Sequence, residues 1–375
     1  GRIDGRTVFA SYGAPGDLAV VRIDRIQGAV SFGTVVDLIE AGPDRQEPPC
    51  PHFGSCGGCD LQHLTYEAQL AAKQEILRVA LRRIGGFREE IEIPITASPL
   101  PWGYRARAEW QRGPANGALG YFKRGSHAIE DVSVCYVLTP PLEQLRADLR
   151  RRTATLKLRE IHAATGADSV TVWPSIDGVE DGPITVEIAG DSLRFDASCF
   201  FQANFGILPA MIDEVVRSSP EPGKASAGSA LDLFCGVGIF TLPLARRYAR
   251  VIGVETSRQA VKYARGNARF AGLANASFAA MSAEDWLEHR AAEFGPVEQV
   301  VVDPLRTGLE PELIKQIGHL GPERIAYVSC DPATLARDLK RFAAEGYAFE
   351  SVAAFDMFPQ NHHLEAVAHL RRQAR

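Results

Sequence analysis

Four apolar runs in the second half of the chain each stop abruptly at a polar or small residue, and this recurrence constrains the fold more than any other feature. The runs are Ala230-Leu231-Asp232-Leu233, Val251-Ile252-Gly253-Val254, Val300-Val301-Val302 and Ile325-Ala326-Tyr327-Val328. Phe234-Cys235-Gly236, Glu255, Asp303 and Ser329-Cys330 end them in turn. Apolar runs of this length, separated by helical stretches, read as strands buried on both faces, so the sequence predicts an α/β fold with a mostly parallel, helix-covered sheet. In such sheets ligands sit beyond the carboxyl ends of the strands. Asp303 and Cys330 are therefore expected at one cleft, with Glu365, which precedes the apolar run Ala366-Val367-Ala368, on an adjoining loop.

A cysteine at such a strand end is a candidate nucleophile, because a thiol with a reference pKa of about 8.5 needs only modest activation. The competing reading is inert packing, since unpaired cysteine is among the most buried residue types. Gly236 and Gly238, in Phe234-Cys235-Gly236-Val237-Gly238, let the backbone approach a ligand closely at a helix start. Glu255 follows Gly238 by seventeen positions, close to the spacing at which an acid reaches a ribose diol. A dinucleotide site stays open on this pattern, although the turn lacks the third glycine of that fingerprint.

At 375 residues the chain has room for two to four domains. It has no apolar run of about 18 residues and no signal pattern at its start, so neither a membrane span nor secretion is expected and the cytoplasm is the default location. Seven cysteines, an odd number, argue against a disulfide framework and for metal, cluster or catalytic roles. The formal net charge of -5 argues weakly against non-specific binding of nucleic acid but leaves room for a local basic face.

Cys50, Cys56 and Cys59 fall within ten residues in a glycine- and proline-rich stretch, and the Cys56–Cys59 spacing lets two sulfurs meet one centre. Cys135 is the best fourth thiolate, because Cys199, Cys235 and Cys330 sit in other motifs. Spacing alone leaves structural zinc and an iron-sulfur cluster equally open, and His52 reads as a satisfied neighbour rather than a ligand. Residues 1–42 alternate in short runs punctuated by Gly13-Ala14-Pro15-Gly16 and Gln27-Gly28, the pattern of a small antiparallel barrel or meander. Gly1 lies so near the first run that a barrel lacking its first strand is expected. A helix is expected after Thr65, with Tyr66, Leu70, Leu77, Leu81 and Ile84 as its apolar stripe and Gly85-Gly86 as its end. Asn116-Gly117 marks a hairpin in an α+β unit spanning residues 43–197, whose Arg105, Arg107, Arg112, Lys123 and Arg124 alternate with aromatics. Cys199 to Asn204, with Gln202, is expected to open a helix ending near Ser218, and Ser218 to Gly228 to form a loop inside the last unit, residues 198–375.

Asp232-Leu233-Phe234-Cys235-Gly236-Val237-Gly238 resembles the first motif of Rossmann-like S-adenosylmethionine methyltransferases, with Glu255 as the ribose-binding acid. Tyr327 to Leu339, together with Asp356-Met357-Phe358-Pro359 through Glu365, resembles the bacterial RNA uracil-5-methyltransferase family. The resemblance implies an N-terminal RNA-binding TRAM barrel and a four-iron four-sulfur cluster on Cys50, Cys56, Cys59 and Cys135. It implies Cys330 as the nucleophile adding to carbon 6 of uracil and Glu365 as the base removing the carbon 5 proton. Phe234, Gly236, Gly238 and Glu255 are then expected to bind S-adenosylmethionine, with Gln202 and Asp303 between cofactor and base edge. The implied substrate is RNA, 23S ribosomal RNA before transfer RNA, acted on by a monomer without membrane association. Cytosine-5 methylation, or an RNA-binding iron-sulfur protein with weakened catalysis, are the alternatives. Leu305, where a second proline is usual, Ile239, where a small polar residue is usual, and Asp331, where asparagine is usual, depart from the family pattern. An ionised Asp331 beside Cys330 is expected to disfavour the thiolate.

Overall fold

The computed structural model describes the chain except for residues 4, 114–116, 168, 223–225 and 374–375. Its centre is an eight-stranded sheet. From one edge the strands run Ala276–Ala280, Tyr248–Glu255, Ser226–Leu233, Gln299–Val302, Arg324–Ser329, Glu365–Arg372, Tyr347–Phe355 and Ile95–Thr96. The first five are parallel, as the apolar runs predict, and Glu365–Arg372 runs antiparallel to both neighbours. Helices cover both faces, and two buried clusters fill the space between: Val301, Ala326 and Val328 belong to one, Val300, Val302 and Tyr327 to the other. Alternate residues of one strand thus enter opposite cores.

The large sheet's core draws on earlier segments as well. Leu77, Leu81 and Ile93 join the cluster containing Leu231 and Leu335, while Ile184, Val186 and Phe195 join the one containing Ala260 and Val367. Between these segments a separate five-stranded antiparallel sheet, flanked by helix Pro140–Arg151, packs around Trp110 and Leu149. Its strands Arg107–Arg112 and Leu119–Phe122 pair antiparallel, Arg112 opposite Leu119, and Asn116 of the expected hairpin turn lies outside the described residues. Residues 2–40 form a four-stranded sheet in which Arg6–Ser11 runs parallel to Val30–Glu40, so the expected purely antiparallel meander is corrected to a mixed sheet.

Three local expectations change. The helix is Tyr66–Ala80, N-capped by the Thr65 side chain and continued by a wider turn to the left-handed Gly86; Leu77 and Leu81 of the expected stripe are buried, but two polar residues share the buried face with them. Gln69 and Lys73 are fully buried there while Ile84 is 42% exposed. Polar residues face inward because their partner is the irregular segment 356–360, which offers polar side chains, Asp356 and Gln360, together with backbone groups. The stretch after Cys199 is irregular until helix Leu208–Val215, so Gln202 stands on a loop. The third change is that strand Ser226–Leu233 starts four residues before Ala230.

Lys73 Nζ donates to Asp356 Oδ1 and, at 3.0 Å, to the Phe358 carbonyl. Both charged side chains are fully shielded from solvent. Removing one partner leaves the other buried and uncompensated, so Lys73→Met is expected to cost about 3–5 kcal/mol of stability, read from a chemical denaturation midpoint.

Candidate active site

The site is built by the sheet ladder. Ser329 pairs with Ala366 and Phe355 pairs with Glu365, so Cys330, one step past Ser329, and Glu365, one step before Ala366, meet on adjacent strands at one edge. Asp303 follows Val302 on the other side of the Cys330 strand, and its backbone N–H donates to the Leu233 carbonyl at 3.3 Å. Asp303, Cys330 and Glu365 are thus brought together as the apolar runs predict.

Their charges act on one another. Burial pushes the Cys330 thiol up to about 11, Glu365 and Asp303 add to this, and Arg306 opposes it. Burial also pushes Asp303 up to about 7. Glu365 is held well above the usual carboxylate range by burial and by Asp303, again against Arg306. Arg306 is therefore the cation of the cluster. Sequence reading missed it, although its place three residues after a strand-end acid was a usable signal.

Asp331 does not act as expected. Its carboxylate caps helix Pro332–Ala344, accepting from the backbone of Ala333 at 2.9 Å and Thr334 at 2.8 Å. Asparagine caps equally well, so this departure preserves the local structure. Leu305, by contrast, is 81% exposed, and nothing in the structure explains its presence.

At the neighbouring strand ends, Phe234, Gly236 and Gly238 all have positive φ, 66°, 53° and 95°. A side chain added at Gly236 would enter open space, whereas one at Gly238 would stand 3.0 Å from Leu242 Cδ1. Glu255 accepts from the Gly236 N–H at 3.3 Å and the Ser257 N–H at 2.7 Å, keeping its carboxylate beside that space. An open glycine cradle beside a strand-end carboxylate fits a ribose-bearing ligand. Gly236→Val would both strain the left-handed backbone and fill the cradle, so it is expected to weaken ligand binding on the order of tenfold or more, measured by calorimetry with S-adenosylhomocysteine. Asp232, beneath the turn, is fully buried, accepts from Thr241 Oγ1, and is pushed up to about 8, chiefly by burial.

Gln202 comes from a different element. It is 6% exposed, and its neighbour Phe201, stacked on Phe195 at 4.2 Å, belongs to the core that also holds Val328 and Met357. Cys50, Cys56, Cys59 and Cys135 line one cavity together with Arg105 and Tyr121. His52 also lines it, but its Nδ1 lies 2.9 Å from Glu130 and its Nε2 accepts from the Ser133 N–H at 2.9 Å, so both ring nitrogens are already engaged. A second cleft runs from the cysteine loop to the segment before Glu365 and is lined by Arg105, Lys123, Arg124, Arg306, Phe358 and His363 among others.

Residues 183–373 match the family model described as tRNA (Uracil-5-)-methyltransferase. The 23S rRNA (uracil(1939)-C(5))-methyltransferase RlmD of Thiobacillus denitrificans is 33% identical over 420 residues, covering 99% of this chain and 96% of its own. An uncharacterized RNA methyltransferase of Gloeobacter violaceus is 34% identical over 431 residues, covering 98% and 92%. Among solved structures, the Pyrococcus abyssi tRNA (uracil-54, C5)-methyltransferase in complex with S-adenosyl-L-homocysteine superposes with a TM-score of 0.74 at 26% identity, over 97% of this chain and 94% of that one. With the site at the sheet edge in agreement, the chain belongs to the RNA uracil-5-methyltransferase family.

Proposed function

We propose that this enzyme transfers a methyl group from S-adenosylmethionine to carbon 5 of one uridine in 23S ribosomal RNA, through a covalent adduct of Cys330 at carbon 6. The observation that carries the reading is the ladder register that sets a thiol and a carboxylate side by side beyond one strand end. The chain shares more sequence with the relatives named for ribosomal RNA than with the archaeal tRNA enzyme, which favours the ribosomal substrate.

S-adenosylmethionine supplies an electrophilic methyl group, and Gly236 with Glu255 would hold it. Cys330 first gives its proton to solvent; the thiolate Sγ then bonds carbon 6, and the carbon 5–carbon 6 π pair moves to carbon 5 as an enolate able to take the methyl group. Arg306 offsets the negative charge that Asp303 and Glu365 impose on the developing thiolate. Asp303 and Gln202 hold the pyrimidine edge. The Glu365 carboxylate then takes the carbon 5 proton, the C–S bond breaks, and the thiolate is restored. The target base must be unstacked to reach this edge, and the basic, aromatic cleft from Arg105 to His363 suits RNA presented in that form. The mixed sheet of residues 2–40 would serve as the TRAM-like unit.

Cys50, Cys56, Cys59 and Cys135 would hold a four-iron four-sulfur cluster. The four thiols line one hollow with Arg105 and Tyr121, a donor set that suits such a centre. Iron and acid-labile sulfide should be found in equal amounts, with zinc absent.

Labelled S-adenosylmethionine, incubated with enzyme and either a 23S transcript or bulk tRNA, followed by nucleoside mass spectrometry, tests the main reading. 5-Methyluridine in the ribosomal transcript is expected. 5-Methylcytidine, or tight RNA binding with no transfer, would overturn it.

A further inference from the structure

Segment 356–364 joins strand Tyr347–Phe355 to Glu365, and its residues 360 to 362 bond to the cysteine loop. The Gln360 carbonyl accepts from the backbones of both Asp60 and Leu61 at 3.0 Å, immediately after Cys59. Asn361 Nδ2 donates to the Gly58 carbonyl at 3.0 Å, and the His362 N–H donates to Asp60 Oδ1 at 2.9 Å. His362 Nδ1 and Asp60 Oδ2 form a second, very short contact. Behind them Gln69 pairs with Gln360 twice, at 2.9 Å and 3.0 Å, and Gln360 itself holds a φ of 69°. The stretch from Cys56 to Leu61 is thus bonded at three successive residues, 360 to 362, to the loop that opens into Glu365.

We infer that Asp60 and His362 form a clasp through which the cysteine loop positions the catalytic carboxylate, so that the four-cysteine unit governs the release half of the reaction rather than methyl transfer. The inference rests on the reading of Glu365 as base. Glu365 is 4% exposed, and the clasped loop leads directly into it. Loosening the clasp lets Glu365 swing and hydrate. Attack by Cys330 and methyl transfer need no carboxylate at carbon 5, whereas loss of the carbon 5 proton to Glu365, with breakage of the C6–S bond, does. Asp60 and His362 also line the basic cleft proposed for RNA, so both rates are read at saturating RNA, where weaker binding alone moves neither and only the positioning role slows adduct decay.

Single-turnover reactions with methyl-labelled cofactor, quenched into denaturing gels, separate the two halves, because the methylated RNA stays covalently on the protein until elimination. His362→Ala removes a side chain that is 53% exposed, so the fold should survive. In His362→Ala and Asp60→Ala, methyl transfer should stay within about threefold of the native rate while adduct decay slows about 10- to 100-fold, the penalty typical of a misplaced catalytic group. The double variant should be no slower than the worse single one, since both remove the same link. Iron content is measured on each variant. Should Asp60→Ala lose iron through its neighbour Cys59, His362→Ala alone decides. Glu365→Gln is the reference. No persistent adduct in Glu365→Gln would overturn the reading of the base. A persistent adduct there with native decay in His362→Ala, or an equal fall in both halves, would overturn the clasp.

Discussion

Cys330→Ala is expected to abolish formation of 5-methyluridine, with a fall on the order of 10⁴-fold or more in turnover. Carbon 5 of uracil is a poor nucleophile until a sulfur stands on carbon 6, so no other group of the site substitutes for the thiol. S-adenosylhomocysteine should bind the variant as tightly as the native enzyme, because Gly236 and Glu255 belong to other strand ends. The free thiol is pushed up to about 11, so it is protonated at neutral pH before substrate arrives. Rates of attack should therefore rise with pH across the neutral range, the thiolate fraction growing in proportion. Measurement of adduct formation against pH, with 5-fluorouracil-containing RNA that cannot complete elimination, checks this. A pH-independent rate would show that the proton leaves by a route other than simple ionisation.

The second large effect is at Glu365. Glu365→Gln keeps the size and burial of the side chain but removes its capacity as base, a contribution typically worth 10²–10⁴-fold. Multiple turnover should drop by that factor while one equivalent of methylated, covalently bound RNA accumulates. The pH dependence has a definite sign. A base must be ionised to work, and burial with the Asp303 charge holds the Glu365 carboxyl well above its ordinary range. Activity should fall on acidification, the descent starting well above the range of an exposed glutamate. An acid limb near the ordinary value of about 4.3 would mean that binding of RNA opens the site to water or brings a compensating cation.

Legibility of this site in the sequence followed the physics of each part. Asp303, Cys330 and Glu255 were found because a strand buried on both faces is continuously apolar, and a polar residue that ends it has only the sheet edge to occupy. Glu365 lies before such a run rather than after it, and its place at the same edge depends on the reversed direction of its strand, which no local pattern encodes. The apolar stripe from Tyr66 to Ile84 left out Gln69 and Lys73, because periodicity assumes that an inward face meets apolar side chains, and here part of it meets Asp356, Gln360 and the backbone beside them. Asp331 was read by its charge alone, and its capping role required knowing where the next helix begins. Gln202 was placed at the opening of a helix, although Gly206 and Pro209, four and seven residues on, mark the point where the helix in fact begins.

Nucleophile and base lie far apart in the chain yet only one rung apart in space, on strands whose side chains alternate between faces. A slip of one residue along that pair would turn every side chain of Glu365–Arg372 over, hiding the carboxylate on the wrong face while leaving hydrogen bonds formally intact. Natural variation between these two residues must therefore be absorbed by the connections, in whole or broken turns, and never by the rung itself. The enzyme's chemistry is in this sense digital: misalignment at this rung silences it outright, where a drifting loop would only have dimmed it.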